Sequence, residues 1–474
     1  MIYQNINKKN NSKEPIIPKK GRIRIVLLVV GLIAFYFLFG NEKKADKNKN
    51  TSVEKSVADT VNVIAPQKRA RFFKKKKKKV KLPRKFGKKD LKKLVELNPD
   101  ILKKSTVTVS DSKYQYRVFT SVDSIITNTS KKLLKRYHPL YGAIVLLEPE
   151  TGRVLSMCSY TNGNKNLESL GNTLYLKSIF PAASIFKTIT AAAAIEKSGF
   201  TSISKIKTVG RNHTLYSNQL TEKIKNYRLV SFENAFAYSY NPVFGRIGIY
   251  VVGADGLNEF AQRFGFNSKI PFILKAEASK FIYPDSTFAI AEVASGFNQS
   301  TQISPLFGAM IASAVVNNGR ILAPTVIDSV LKLSSKKIIY RKKAKMWRRP
   351  VAVKTSEELK RIMSAVPRYG TARKSFNFIK KSYRFKDIEY GGKTGSVDKD
   401  GLGKIDWFIG FATHKKDATQ RISVAVVTVH DGNWTVHSSY IAAEVMRHYI
   451  RNRQIEIARI LKLQSDTLEQ KGKI

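Results

Sequence analysis

The sequence predicts an α+β fold, an antiparallel sheet packed against helices with an all-helical subdomain set into its middle. Three observations predict it. Strand-like alternation occurs near residue 114 and again after residue 388, helical segments fill the region between, and the chain closes on one more helix. Strands on both sides of a helical block imply one sheet assembled from the first and last segments.

The elements follow in order. Tyr114–Thr120 alternates like a strand, and Ser124–Tyr137 carries the spacing of an amphipathic helix. Gly142–Gly152 and Arg153–Met157 read as two strands joined by a Pro-Glu-Thr-Gly turn. Pro181 suits a helix start, and Ala182–Ser198 is apolar nearly all round, the mark of a buried helix. The stretch 200–375 is mostly helical, with Ser304–Ser313 a second buried helix. Ile388–Val397, an Asp400-Gly401 turn, Asp406–Ala412 and Ile422–Val429 supply the late strands, and Ser438–Arg451 the closing helix.

The 474 residues carry a formal charge of +50 and 43% hydrophobic residues, enough for a core. The charge is concentrated. Lys74–Lys79 is an unbroken lysine run within an overwhelmingly basic stretch, Lys68–Lys93. Such a block reads as a solvated arm, or as one drawn to anionic lipid headgroups or an anionic wall polymer. It has few interleaved aromatics and no nucleic-acid-binding motif beside it, so no specific nucleic acid is expected. Cys158 is the one cysteine, which excludes an internal disulfide; it reads as a small packing residue. The histidines have no metal spacing, and no metal or cofactor is expected.

Ile25–Phe39 is apolar and free of charge. It is short for a membrane span, which needs roughly 20 residues, but Gly21–Arg24 can extend it with its arginines snorkelling. Lysines and arginines dominate the flank before it, placing that side in the cytoplasm. The expected organisation is therefore a basic cytoplasmic segment (1–24), a transmembrane anchor (25–40), a basic, largely disordered linker (41–112), a folded domain outside the membrane, periplasmic or extracellular (113–452), and a tail (453–474). Within the linker only Asp90–Leu102 has the pattern of a helix.

Three short strings carry the chemistry: Ser184-Ile-Phe-Lys187, Ser239-Tyr-Asn241 and Lys393-Thr-Gly395. Residues three apart on a helix share a face, so Lys187 can reach the Ser184 oxygen. A serine hydroxyl needs such a base, and the lysine must be neutral to serve. From about 10.4 to about 7 is a shift worth roughly 4 kcal/mol; burial and a second cation, Lys393, push in that direction. Ser239 can relay a proton, and Asn241 can hold a peptide carbonyl and orient Lys187. On an edge strand Lys393 and Thr394 can bind a carboxylate, and Gly395 admits a substrate backbone. Ser202/Lys205, Ser334/Lys337 and Ser375/Asn377 match the first two patterns equally well. Order and spacing single out the Ser184 set.

In that order the strings resemble the S-x-x-K, S-x-N and K-T-G triplet of the penicillin-binding, acyl-serine transferase family. The resemblance covers about 114–452 and includes Gly370-Thr-Ala372, Ser304-Pro-Leu306 and Asp406–Phe411; Gly296-Phe-Asn298 stands where a G-Q-G is frequent. It implies a serine β-lactamase/D,D-peptidase-like fold. Ser184, Lys187, Ser239, Asn241 and Lys393 would be catalytic, and Thr394, Gly395 and Ser396 would bind substrate. The backbone N–H groups of Ser184 and Ser396 would form the oxyanion hole. The implied function is a membrane-anchored D,D-transpeptidase acting on peptidoglycan stem peptides and acylated by β-lactams. A carboxypeptidase or β-lactamase of the same fold, and a non-catalytic β-lactam sensor or wall-binding receptor, are the alternatives.

Overall fold

Glu148 and Arg153 close the predicted turn: the Glu148 N–H donates to the Arg153 carbonyl, and the Gly152 N–H to the Glu148 carbonyl, each at 2.9 Å. Gly152 sits at φ +72°, a conformation that glycine adopts without a steric cost. The computed structural model describes residues 86–162, 173–417 and 419–471, all within the unit Lys81–Ile474. The apolar segment 25–39, the Lys74–Lys79 run and the basic N-terminal segment lie outside the described residues. Among the described residues no helix is long and apolar enough to cross a membrane.

The principal strands are β1 (Thr106–Ser110), β2 (Gln115–Thr120), β3 (Tyr141–Leu147), β4 (Val154–Thr161), β5 (Ile327–Lys332), β6 (Lys337–Arg341), β7 (Ile388–Lys399), β8 (Gly403–His414) and β9 (Arg421–His430). The principal helices are α1 (Lys88–Leu97), α2 (Ser124–Tyr137), α3 (Lys187–Ser198), α4 (Phe232–Ala237), α5 (Asn241–Ile247), α6 (Thr287–Ser295), α7 (Pro305–Val316), α8 (Val353–Arg368) and α9 (Ser438–Lys471).

The main sheet has the order β7-β8-β9-β3-β4, every pair antiparallel. The N-terminal hairpin thus shares a sheet with the late strands, as the sequence predicts, and β7 is left as an edge. β9 is buried on both faces, so it reads as an apolar run rather than an alternation. One face is covered by α7, whose twelve residues are all buried and whose start is fixed by the Ser304 hydroxyl capping Phe307 N and by Pro305. A side chain added at Gly308 would stand 3.0 Å from Ile409 and 3.3 Å from Ala425, so glycine lets helix and sheet approach. The other face meets α9, where Ser438 Oγ contacts Thr428 Oγ1 at 2.9 Å.

Three expectations are corrected. The linker assigned to 41–112 is structured from Lys88 onward: α1 buries Leu91, Leu94 and Val95, and β1 pairs with β2. The helical pattern read at Asp90–Leu102 forms as α1, but its apolar stripe is only three residues wide among lysines, which masks that it packs into a core. Second, β2 belongs not to the main sheet but to a smaller one, β1-β2-β5-β6. Its partners β5 and β6 lie in the stretch read as helical; they are short and only partly buried, and a register shift between Val330 and Leu331 breaks the alternation. Third, the last helix runs on to Lys471 in place of a tail from 453. No glycine or proline interrupts it before Gly472.

Candidate active site

The helix expected from Ala182 starts differently. Ala183 has φ +48°, residues 183–186 form one 3-10 turn, and the α-helix begins at Lys187. In a 3-10 turn side chains three apart eclipse. Lys187 Nζ accordingly stands 2.7 Å from Ser184 Oγ. Ser184 is half-buried at the cleft surface, while Lys187 has no exposed area.

Lys187 Nζ has two further partners, Asn241 Oδ1 at 2.7 Å and the Ser295 carbonyl at 2.5 Å. A neutral amine has two N–H donors and one lone pair. Asn241 and Ser295 take the two donors, and the lone pair is left facing the serine hydroxyl. Burial and the charge of Lys393 hold the Lys187 pKa well below its ordinary value. Geometry and electrostatics therefore favour the same species, a neutral lysine poised to take the Ser184 proton.

Asn241 is held in turn by its own surroundings. Its side-chain NH₂ donates to the His213 carbonyl at 2.9 Å and its backbone N–H to the Asn212 carbonyl at 2.7 Å. Just before it, α4 closes with Tyr240 N–H on Ala235 O and Ser239 N–H on Phe236 O, the pattern of a Schellman cap. Glycine usually fills the left-handed position of that cap; here it is Ser239, at φ +60°. The strained backbone, which costs on the order of 1–2 kcal/mol, aims a hydroxyl into the cleft. Ser239 Oγ accepts from Lys393 Nζ at 2.9 Å.

Lys393 is fully buried, donates also to the Thr394 carbonyl at 2.9 Å, and has its pKa pushed down to about 7 by burial. Thr394 Oγ1 lies 2.6 Å from Thr371 Oγ1. A side chain at Gly395 would crowd Ala183 Cβ and Ile185 N at 3.3 Å, so the edge strand β7 runs against the nucleophile turn. Ser396 Oγ donates to Asp406 Oδ1 at 3.1 Å.

Ser184, Ser239, Asn241, Thr394, Gly395 and Ser396 all line one cavity of about 680 Å³, with His213, Thr371, Phe297 and Trp434 among its other walls. Lys187 and Lys393 lie buried behind it. All eight predicted residues are thus brought together. The decoys are elsewhere: Lys205 and Lys337 are exposed, and Ser375 Oγ meets Ser439 Oγ at 2.7 Å under α9. Sequence reasoning missed Ser295 and His213 because both contribute carbonyl oxygens, which leave no side-chain signature. Gly296, named in the string Gly296-Phe-Asn298 without a role, has a φ of +66° that lets it press on the Ala183 carbonyl. Thr371 lay within a quoted string, Gly370-Thr-Ala372, without an assigned role.

A serine activated by a neutral lysine, a second hydroxyl bridging to a second lysine, and an open edge strand are the parts of an acyl transfer site. The profile of the penicillin binding protein transpeptidase domain matches residues 142–451. The chain belongs to this family.

Relatives of this chain include stage V sporulation protein D of Bacillus subtilis, 23% identical over 75% of this chain and 55% of that protein. The peptidoglycan D,D-transpeptidase PbpA of Mycobacterium tuberculosis is 30% identical over 41% of this chain and 44% of its own length. PbpA of Mycolicibacterium smegmatis is 25% identical over 62% of each chain. The chain thus spans between 44% and 62% of the length of these curated relatives. Among solved structures, the D,D-transpeptidase domain of an Eggerthella lenta peptidoglycan glycosyltransferase superposes with a TM-score of 0.59 at 23% identity, covering 76% of this chain and 87% of that one. Penicillin-binding protein A of M. tuberculosis, as an imipenem acyl-enzyme, gives 0.55 at 23% identity over 70% and 78%. Both share the fold.

Proposed function

We propose that this penicillin-binding chain is a serine D,D-transpeptidase that cross-links peptidoglycan stem peptides and is acylated by β-lactams. The single observation that carries the reading is the Lys187 amine, buried and held by three partners so that its lone pair faces Ser184. Lys187 takes the Ser184 proton as the oxygen attacks the carbonyl of a terminal D-Ala-D-Ala amide. The amide C–N bond breaks, and the departing D-Ala nitrogen takes a proton relayed through Ser239. The stem's terminal carboxylate is met by Thr394, with Lys393 buried behind the cleft as the cationic group of that end of the site. An amine of a neighbouring stem then attacks the acyl-enzyme, gives up its proton along the same route, and frees Ser184. The backbone N–H groups of Ser184 and Ser396 are assigned to the developing oxyanion. The names of the PbpA relatives and the acyl-enzyme neighbours support this reading.

The same reading places the domain outside the cytoplasmic membrane, tethered by the 25–39 segment. Its support is the apolar run and the basic flank before it. Protease accessibility of the domain in right-side-out cells, with the N-terminal segment protected, tests the topology.

Incubating the full chain with a pentapeptide stem, with and without an acceptor amine, tests the reaction. Cross-linked product is expected alongside released D-Ala. D-Ala release with no cross-link at any acceptor concentration would make the enzyme a carboxypeptidase instead. Ser184→Ala should abolish labelling by fluorescent penicillin; surviving label would place the nucleophile elsewhere.

A further inference from the structure

A second cavity, of about 600 Å³, lies where α1 meets the segment after β6. Its walls are apolar, with Leu91, Ile273, Pro324, Ile327, Met346 and Trp347 among them. Beside Thr325 and Tyr340, its polar lining is cationic: Lys88, Arg341, Lys342, Lys343 and Lys345, with no aspartate or glutamate. Among the described residues none of these five cations has an ion-pair partner. Asp328, next to Ile327 in the chain, already gives both oxygens to Arg153, at 3.1 and 2.9 Å. Lys342 is half-buried beside Lys88 and Lys345, and loss of water together with their charges lowers its pKa. Arg348 adds a sixth cation nearby, its guanidinium 5.3 Å from the Trp347 ring centre.

Like charges do not gather around an apolar hollow without cost, and low-dielectric walls focus their field into it. The ligand that such a lining favours is an anion. A wholly polar polyanion would neutralise the cations and leave the apolar walls uncovered. An amphiphile with a phosphate head satisfies both. Lys88, near the end of the basic stretch Lys68–Lys93, lines this site, so the cavity carries into the folded domain a charge pattern suited to an anionic lipid surface. We propose that this cavity binds the phosphate head of an anionic phospholipid, its cations around the phosphate and its apolar walls against the glycerol and first methylenes, and so docks the catalytic domain on the membrane.

Trp347 lies in the cavity wall and reports on it. The full chain in neutral detergent is titrated with short-chain dihexanoyl phosphatidylglycerol while tryptophan fluorescence is followed; Trp347→Phe identifies the part of the signal that comes from the cavity. A saturable change, weakened at least tenfold in Lys342→Glu/Lys345→Glu and little altered when Lys74–Lys79 are replaced by glutamine, is expected. Dihexanoyl phosphatidylcholine should give no such change. A response to glycerol 1-phosphate as strong as to the lipid would overturn the lipid assignment in favour of a soluble phosphate. No response to any of the three, or a response unchanged in the double variant, would overturn the site. Fluorescent-penicillin labelling of each variant checks that the domain is folded and keeps this outcome separate from that of the transpeptidase reading.

Discussion

A Cβ placed on Gly296 would stand 1.9 Å from the carbonyl oxygen of Ala183. The obstacle is backbone, so no rotamer change relieves it, and φ at Gly296 is +66°. Two sources of strain, steric and conformational, therefore act at the residue that backs the nucleophile turn, and the preceding residue, Ser295, holds Lys187. Gly296→Ala should cost roughly 2–4 kcal/mol of stability. It should also slow penicillin acylation by more than the fraction unfolded explains, because Ser184 is pushed out of line with Lys187. Thermal unfolding and labelling rate, measured on the same sample, check this; an acylation rate within twofold of the parent would refute it.

Thr371 offers a gentler probe. Its hydroxyl is 2.6 Å from that of Thr394 and fixes the orientation of a group assigned to the substrate carboxylate. Thr371→Val keeps the shape and removes the bond. A neutral hydrogen bond is worth about 0.5–1.5 kcal/mol, so kcat/KM for the stem peptide should fall about three- to tenfold. The loss should appear mainly in KM, with the melting temperature little changed. A loss confined to kcat would reassign Thr371 to the chemical step.

How much of this site was legible in sequence follows from which atoms do the work. Ser184, Lys187, Asn241 and Lys393 act through side chains, so residue identity and spacing reveal them. Ser295 and His213 act through carbonyls, and any residue supplies a carbonyl. The left-handed Ser239 lies between, because glycine's usual place in the cap is taken by a residue chosen for its hydroxyl. The main sheet was legible because β8 and β9 are long apolar runs with turn signals at their ends. The smaller sheet was not, because β5 and β6 are short and half-exposed and a register shift at Val330/Leu331 interrupts the period of two.

Lys393 ties stability to pH. Its folded pKa is about 7 against an ordinary 10.5. Between those values the unfolded chain holds a proton that the folded one does not, so stability rises with pH across this window. Below about pH 7 both states are protonated, and the cost of burying the charge is fully present. Each unit of depression corresponds to about 1.4 kcal/mol. Lys393→Met should therefore be more stable than the parent at pH 6–7 and lose that advantage towards pH 10, while labelling by penicillin falls. The charge that Lys393 places on Lys187 is removed as well, which works in the same direction. Denaturant midpoints at several pH values decide it; a stability difference that does not change with pH would show that the charge of Lys393 is not the cause.

Leu94 tests where the folded domain begins. It lies at 3% exposure in α1, in the core cluster with Leu91 and Val95, within a stretch that composition alone assigns to a linker. Lysines on the outer face of α1 keep the segment polar on average, yet Leu91, Leu94 and Val95 at spacings of three and four form one apolar stripe. If the helix is an integral part of the domain, Leu94→Ala leaves a cavity and costs roughly 2–4 kcal/mol. Were α1 merely a linker, truncating a leucine there would cost only a few tenths. Chemical denaturation followed by fluorescence separates the two, and penicillin labelling at low temperature should survive, because α1 supplies no residue to the cleft that holds Ser184.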